Sequence, residues 1–178
     1  YTLSEEELLS FLGPLLRESF ARYLSGHQVD EAVEVYRAYN REKHNDYVTL
    51  YPHETEVLKK LHEEGIKMAI VTTKYKDAAV YGLKCADLDQ YFDVVIGSDE
   101  VTHGKPHPEA LRVALSHLNA TKGYMIGDNV TDIQAGKNAG IGTIGVTWSL
   151  KGTQFLLEEH PDYMMESYDD LYQYLERM

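Results

Sequence analysis

The amino-acid sequence predicts a doubly wound α/β core, a parallel sheet with helices on both faces, together with an all-helical subdomain. Short apolar runs without polar alternation recur after Gly65, which is typical of strands buried on both faces of a sheet. Amphipathic stretches separate these runs, as the crossovers between parallel strands require. Because only helical patterns precede them, we expect residues 1–48 to form the helical subdomain and residues 49–178 the core.

The helical subdomain opens with a capping-box pattern, in which Ser4 is followed three residues later by Glu7. Apolar residues then recur at helical spacing up to Tyr23, with a break at Gly13-Pro14. A second amphipathic helix is expected after the Ser25-Gly26 turn. Its expected buried face consists of Val29, Ala32, Val33, Tyr36 and Tyr39.

The core is expected to begin with a helix bounded by Pro52 and Gly65. Five apolar runs then predict strands, at residues 67–71, 92–97, 124–127, 143–146 and 163–165. The amphipathic stretches predict helices near residues 75–85, 108–118, 131–139 and 153–159, and from about residue 169. No internal repeat is present in the sequence.

Composition limits the class of protein. The chain has 178 residues, 43% hydrophobic and 26% charged, which is ordinary for a globular domain. Seventeen basic against 29 acidic residues give a net charge of −12, which argues against nucleic acid or an anionic membrane as partner because neither would meet a basic face. The sequence has no apolar run of membrane length and no signal-peptide pattern. Its single cysteine, Cys85, fits a reducing compartment, so we expect a cytoplasmic protein. The oligomeric state is not decided by the sequence.

Polar side chains follow three of the predicted strands. They are Thr72, Thr73 and Lys74 after the first strand, Lys105 after the second, and Asp128, Asn129 and Asp132 after the third. Ligands of open parallel sheets bind outside the carboxyl ends of the strands. Hydroxyl and ammonium groups beside carboxylates suit a phosphate held next to a divalent cation.

Each of these residues also has a purely structural interpretation. A threonine at a strand end usually caps a helix, and Lys105 before a proline is ordinarily a solvated loop residue. Asp128 and Asn129 both suit a turn followed by a helix N-cap. Independent caps would not supply complementary charges in order at three successive strand ends, so the combination favours a phosphate site.

His103 and His107 raise the alternative of a zinc site. Pro106 lies between them and argues against a helix that presents both rings. No further soft ligand is close in sequence, so the sequence does not favour zinc.

At these residues the sequence resembles the haloacid dehalogenase (HAD) superfamily of phosphohydrolases. VTTK (71–74), GKPHPE (104–109) and GDNVTDIQAGKNAG (127–140) are similar to its second, third and fourth motifs, and the fourth is the most specific because it is long and ordered. The helical subdomain is similar to the cap of the phosphoglycolate phosphatase-like branch. Within that branch, FLGPLL, VYRAYNREKHNDYV and TWSLKG look most like the single-chain inorganic pyrophosphatases.

The resemblance implies a Mg²⁺-dependent phosphatase that acts on a small phosphorylated substrate, phosphoglycolate or pyrophosphate, through an aspartyl-phosphate intermediate. It implies that Thr72 hydrogen-bonds the transferring phosphoryl group, that Lys105 offsets its charge, and that Thr73 is a candidate substrate contact. Asp128 would bind Mg²⁺, and Asp132 would bind the ion or orient its ligands.

The family's first motif, D-x-D-G-T, has no match in the sequence. In the family this motif ends the first strand, precedes the cap and supplies the nucleophilic and acid/base aspartates. The only D-x-D here, residues 87–89, follows a helix and is interpreted as a loop. We therefore expect roughly 20 to 30 residues upstream of Tyr1, with a strand that lies between those carrying Thr72 and Asp128. Residues 1–178 alone are expected to be inactive and poorly soluble.

Three other functions would use part of this residue set. An inactive fragment or a non-catalytic phosphate-binding protein stays open because the chain contains no nucleophile. A sugar phosphomutase of the same superfamily stays open because transfer of phosphate to a sugar rather than to water depends on cap residues, which the motifs do not identify. A receiver-type signalling domain uses a similar residue set, but its acidic positions precede the threonine and lysine, whereas here Thr72 and Lys105 precede Asp128.

Overall fold

The computed structural model describes residues 2–177, and its internal packing divides the chain into two units, Tyr1–Thr49 and Leu50–Met178. The first unit contains three helices, α1 (Glu5–Leu9), α2 (Leu16–Phe20) and α3 (His27–Tyr47). The predicted capping box is confirmed, because the Ser4 N–H donates to Glu7 at 2.7 Å and the Glu7 N–H donates to the Ser4 hydroxyl at 3.3 Å. None of the helices in the described part of the chain is long and apolar enough to cross a membrane.

The buried face predicted for α3 is confirmed only in part. Val29 and Val33 are buried, whereas Tyr36 and Tyr39 are 47% and 55% exposed. The prediction for the two tyrosines was wrong because α3 packs against α2, which is only five residues long and covers little of a 21-residue helix.

The strands of the second unit begin and end within two residues of the predicted positions. They are β1 (Ala69–Val71), β2 (Val94–Ile96), β3 (Tyr124–Gly127), β4 (Gly142–Val146) and β5 (Tyr163–Met165). The helices of this unit are α4 (Glu54–Glu63), α5 (Lys76–Cys85), α6 (Glu109–His117), α7 (Val130–Ala139), α8 (Thr153–Glu158) and α9 (Tyr168–Leu175). Helices alternate with strands throughout, as the sequence predicts.

All strand pairs are parallel, and helices cover both faces of the sheet. On one face, α6 packs against β1 and β2, and α7 packs against β3 and β4. On the other face, Tyr172 of α9 packs with Val57 and Leu61 of α4 and with Met68, next to β1. The predicted class, a doubly wound α/β core, is confirmed.

The strands form two ladders, β1–β2 and β3–β4–β5. Within residues 2–177 no ladder joins β1 to β3, although Val71 of β1 and Met125 of β3 belong to one apolar cluster around Leu111 of α6. Ile126 of β3 is 37% exposed, which is unusual for an apolar residue inside a sheet of this kind. One edge of β1 and one edge of β3 therefore lack a partner strand in the described chain.

Candidate active site

Lys105 lies at the carboxyl end of β1, although it comes from the loop after β2. Its ammonium donates to the carbonyl oxygen of Val71 at 3.0 Å and lies 2.7 Å from Oδ1 of Asp132. The Lys105 side chain is only 11% exposed and that of Asp132 only 6%, so this ion pair is buried. Because an unpaired charge would be costly at this depth, the pair fixes the position of both groups.

Asp132 lies in the first turn of α7, where its second oxygen accepts a hydrogen bond from the Asn129 N–H at 3.0 Å. This bond is one half of a capping box that starts the helix. Gly127 makes the arrangement possible, because a Cβ on that residue would lie 2.3 Å from the Cβ of Asp132. The absence of a side chain at the end of β3 therefore lets the buried carboxylate approach the strand.

Asp128 directly follows β3 and is exposed. Its Oδ1 accepts a hydrogen bond from the side-chain amide of Asn129 at 2.9 Å. Its backbone carbonyl accepts a hydrogen bond from the Ser149 hydroxyl at 2.8 Å, which ties the loop after β3 to the segment after β4. An exposed carboxylate on a fixed loop is a suitable donor for a hard cation.

Thr72 and Thr73 follow β1 and are half-buried. The Thr72 N–H donates to the carbonyl of Ile96, so the parallel pairing with β2 continues one residue beyond the strand. The Thr72 hydroxyl oxygen accepts a hydrogen bond from the Lys74 N–H at 3.1 Å. That bond uses a lone pair of the oxygen and not the hydroxyl hydrogen.

The structure brings Lys105, Asp132 and the end of β1 into direct contact, and Asp128 is only one residue from the end of β3. Thr72 adjoins Val71, whose carbonyl Lys105 contacts, and Thr73 is the next residue along the chain. Sequence reasoning did not identify Ser149 as part of this region. The sequence feature that could have identified it is the TWSLKG segment, in which this serine follows the carboxyl end of β4, the strand next to β3.

A doubly wound parallel sheet that gathers a hydroxyl, an ammonium group and carboxylates at its strand ends has the architecture of a phosphate-handling α/β enzyme. The family model for haloacid dehalogenase-like hydrolases matches residues 1–146. The chain belongs to this family, and the resemblance drawn from the motifs is confirmed.

Relatives and solved structures agree with this assignment. The chain is 44% identical to pyrophosphatase PpaX of Bacillus velezensis over 93% of this chain and 77% of the relative. It is 45% identical to pyrophosphatase PpaX of Listeria monocytogenes over 94% of this chain and 78% of the relative. The structure of a haloacid dehalogenase-like hydrolase from Streptococcus pneumoniae superposes with a TM-score of 0.84 at 28% identity, covering 98% and 83% of the two chains. The protein is thus an enzyme of the phosphatase and pyrophosphatase class.

Proposed function

We propose that this protein hydrolyses inorganic pyrophosphate with the help of Mg²⁺, using Thr72, Lys105 and Asp128 at the carboxyl ends of β1 and β3. The observation that carries the proposal is the buried Lys105 ammonium, fixed between the end of β1 and Asp132. A lysine held in this way can offset negative charge on a phosphoryl group without first having to be ordered. The choice of pyrophosphate is supported by the two relatives named pyrophosphatase, at 44% and 45% identity.

The Thr72 hydroxyl would donate its hydrogen to an oxygen of the transferring phosphoryl group. Its oxygen is oriented by the Lys74 N–H, which fixes the side chain while leaving the hydroxyl hydrogen for the substrate. Thr73, half-buried next to it, is proposed as a further substrate contact.

Asp128 would hold the Mg²⁺ ion, because it is exposed and carries hard oxygen donors on a loop fixed by Ser149 and Asn129. When bound, the ion would neutralise charge on the phosphate oxygens. Asp132 already engages Lys105 with one oxygen and the Asn129 N–H with the other, so its contacts favour the orienting role.

The reaction also requires a nucleophile, and the unpaired edges of β1 and β3 suggest where it would come from. A further parallel strand between these edges would end beside both Lys105 and Asp128. We propose that an aspartate at the end of such a strand attacks phosphorus and forms an aspartyl phosphate as the second phosphate leaves. Water would then hydrolyse the acyl phosphate and regenerate the carboxylate.

The test is phosphate release by the protein expressed from its complete gene, with pyrophosphate, phosphoglycolate and an aryl phosphate compared at equal concentration. We expect pyrophosphate to give the highest kcat/KM and EDTA to abolish turnover, with recovery on addition of Mg²⁺. A preference for phosphoglycolate would show that the proposed substrate is wrong, while the proposed mechanism would still hold. Full turnover in EDTA would refute the metal role of Asp128.

Two of the alternatives raised by the sequence predict different results. A sugar phosphomutase would move phosphate between positions of a sugar phosphate without releasing it. A non-catalytic phosphate-binding protein would bind pyrophosphate in calorimetry without turnover.

A further inference from the structure

The loop that carries Lys105 and the start of α6 present three side chains of types that bind metals, and these are other residues than the carboxylates described above. His103 and His107 each lie two residues from Lys105, and Glu109 is the first residue of α6. One ligand atom from each of the three residues lies within 4.8 Å of the others. The two imidazole rings have centroids 4.5 Å apart. The sequence supplied two histidines without a third ligand, and the fold adds Glu109.

Glu109 is held in place by the loop. Its two oxygens accept the N–H groups of Thr102 at 2.8 Å and His103 at 2.9 Å, and Oε2 lies 2.8 Å from Nδ1 of His103. Backbone donors therefore orient the carboxylate, as in metal sites whose ligands are fixed by surrounding hydrogen bonds.

The rings of both histidines reach solvent. Their side chains are 62% and 49% exposed, and His107 Nδ1 accepts only a long hydrogen bond, of 3.3 Å, from the Glu109 N–H. Zinc bound by nitrogen at about 2.0–2.1 Å in a tetrahedral site needs ligand atoms roughly 3.3 Å apart. Nδ1 of His103 lies 2.8 Å and Nδ1 of His107 lies 3.8 Å from Oε2 of Glu109, so small rotations of the two exposed rings would bring the ligand atoms to that spacing.

We propose that His103, His107 and Glu109 form a binding site for a divalent transition-metal ion of the zinc type, separate from the Mg²⁺ site proposed at Asp128. Two imidazoles with one carboxylate form a ligand set that zinc accepts, with water in the fourth position, whereas Mg²⁺ prefers oxygen ligands alone. Because both histidines flank Lys105, a bound ion would also clamp the loop that presents this lysine.

The test measures Zn²⁺ binding directly. Metal-free protein, expressed from its complete gene, is saturated with Mg²⁺ and titrated with ZnCl₂ in the presence of a chromophoric chelator. We expect one Zn²⁺ per chain to survive Mg²⁺ saturation. His103→Ala and His107→Ala should each weaken Zn²⁺ binding at least about tenfold. His117→Ala, which removes an exposed histidine at the end of α6, is the matched control and should leave binding unchanged.

Two further variants separate the proposed site from other zinc ligands of the chain. Asp128→Asn and Cys85→Ser should both retain Zn²⁺ binding, since Asp128 belongs to the Mg²⁺ site and Cys85 is an exposed cysteine elsewhere. Loss of Zn²⁺ binding in either variant, or unchanged binding in both loop-histidine variants, would overturn the proposal. Thermal unfolding provides a second readout, because Zn²⁺ should raise Tm in the unsubstituted protein and in His117→Ala but not in His103→Gln or His107→Gln.

Discussion

The Lys105 ammonium lies 2.7 Å from the Asp132 carboxylate, and both side chains are almost completely buried. The two residues are 27 positions apart in the chain, one in the loop after β2 and the other in the first turn of α7. Their pairing joins the end of the β1–β2 ladder to the end of the β3–β4–β5 ladder. The ion pair is thus both part of the candidate site and a connection across the space between β1 and β3.

Lys105→Met should destabilise the fold as well as reduce turnover. The substitution leaves the Asp132 carboxylate buried without its counter-charge, which costs about 3 kcal/mol in comparable cases. Adding Asp132→Asn should recover part of this loss, because the charge that needed a partner is then absent. Urea unfolding of the two single variants and the double variant measures the coupling. Lys84→Met, at an exposed lysine, should change stability by less than about 0.5 kcal/mol. If the two single substitutions had strictly additive effects on the free energy of unfolding, the Lys105–Asp132 ion pair would contribute nothing to stability.

Asp128→Asn should raise the Mg²⁺ concentration that gives half-maximal turnover by at least about tenfold, because the amide keeps the shape but loses the charge that holds a hard cation. The measurement is a Mg²⁺ titration of activity at saturating substrate. Asp89→Asn is the matched control, since this exposed carboxylate lies in the D-x-D segment interpreted as a loop. An effect of Asp89→Asn as large as that of Asp128→Asn would contradict both assignments.

Ser149→Ala should weaken the response to Mg²⁺ by about fivefold. The change removes the hydroxyl that donates to the Asp128 carbonyl, and one such bond contributes about 1 kcal/mol. The same Mg²⁺ titration measures the effect, with Ser116→Ala on the exposed side of α6 as control. If Ser149 only stabilised the fold, the unfolding midpoint would move while the Mg²⁺ response stayed the same.

Gly127→Ala should lower the free energy of unfolding by about 2 kcal/mol, since the added methyl group would overlap Asp132. The neighbouring Gly123→Ala has only an ordinary contact, at 4.0 Å from Leu115, and serves as control. Denaturant unfolding of both variants measures the difference. Equal stability of the two variants would mean that Asp132 can move away from β3 at little cost.

Asp93→Asn should destabilise the protein at pH 7 but much less in acid. The Met68 N–H, followed by the Lys67 ammonium, lowers the pKa of Asp93, so the folded protein favours its ionised form. This stabilisation is fully present above the unfolded-state value of 3.8 and is lost as the pH falls through the lower folded value. We expect a difference of about 1 kcal/mol at pH 7 that shrinks below pH 3.8. A difference that does not depend on pH would point to packing instead.

The sequence determined the order and kind of the elements in the second unit. Unbroken apolar runs such as residues 124–127 are consistent with burial on both faces of a parallel sheet, and the structure places all five strands within two residues of prediction. The same sequence determined that Thr72, Lys105 and Asp128 follow strand ends. Local patterning carries this information because strand burial and helix spacing are properties of neighbouring residues.

Only the tertiary structure decided which of these groups touch. The sequence left Asp132 with two possible roles, and the fold shows that both its oxygens are engaged, one by Lys105 and the other by the Asn129 N–H. It also folded residues 103–109 so that Glu109 lies beside His103 and His107. It exposed Tyr36 and Tyr39 of α3, which helical spacing had assigned to a buried face. Contacts between residues distant in the chain depend on how the elements pack, and the burial of a helix face depends on how much of it a neighbouring helix covers. A periodic sequence pattern contains no information about either.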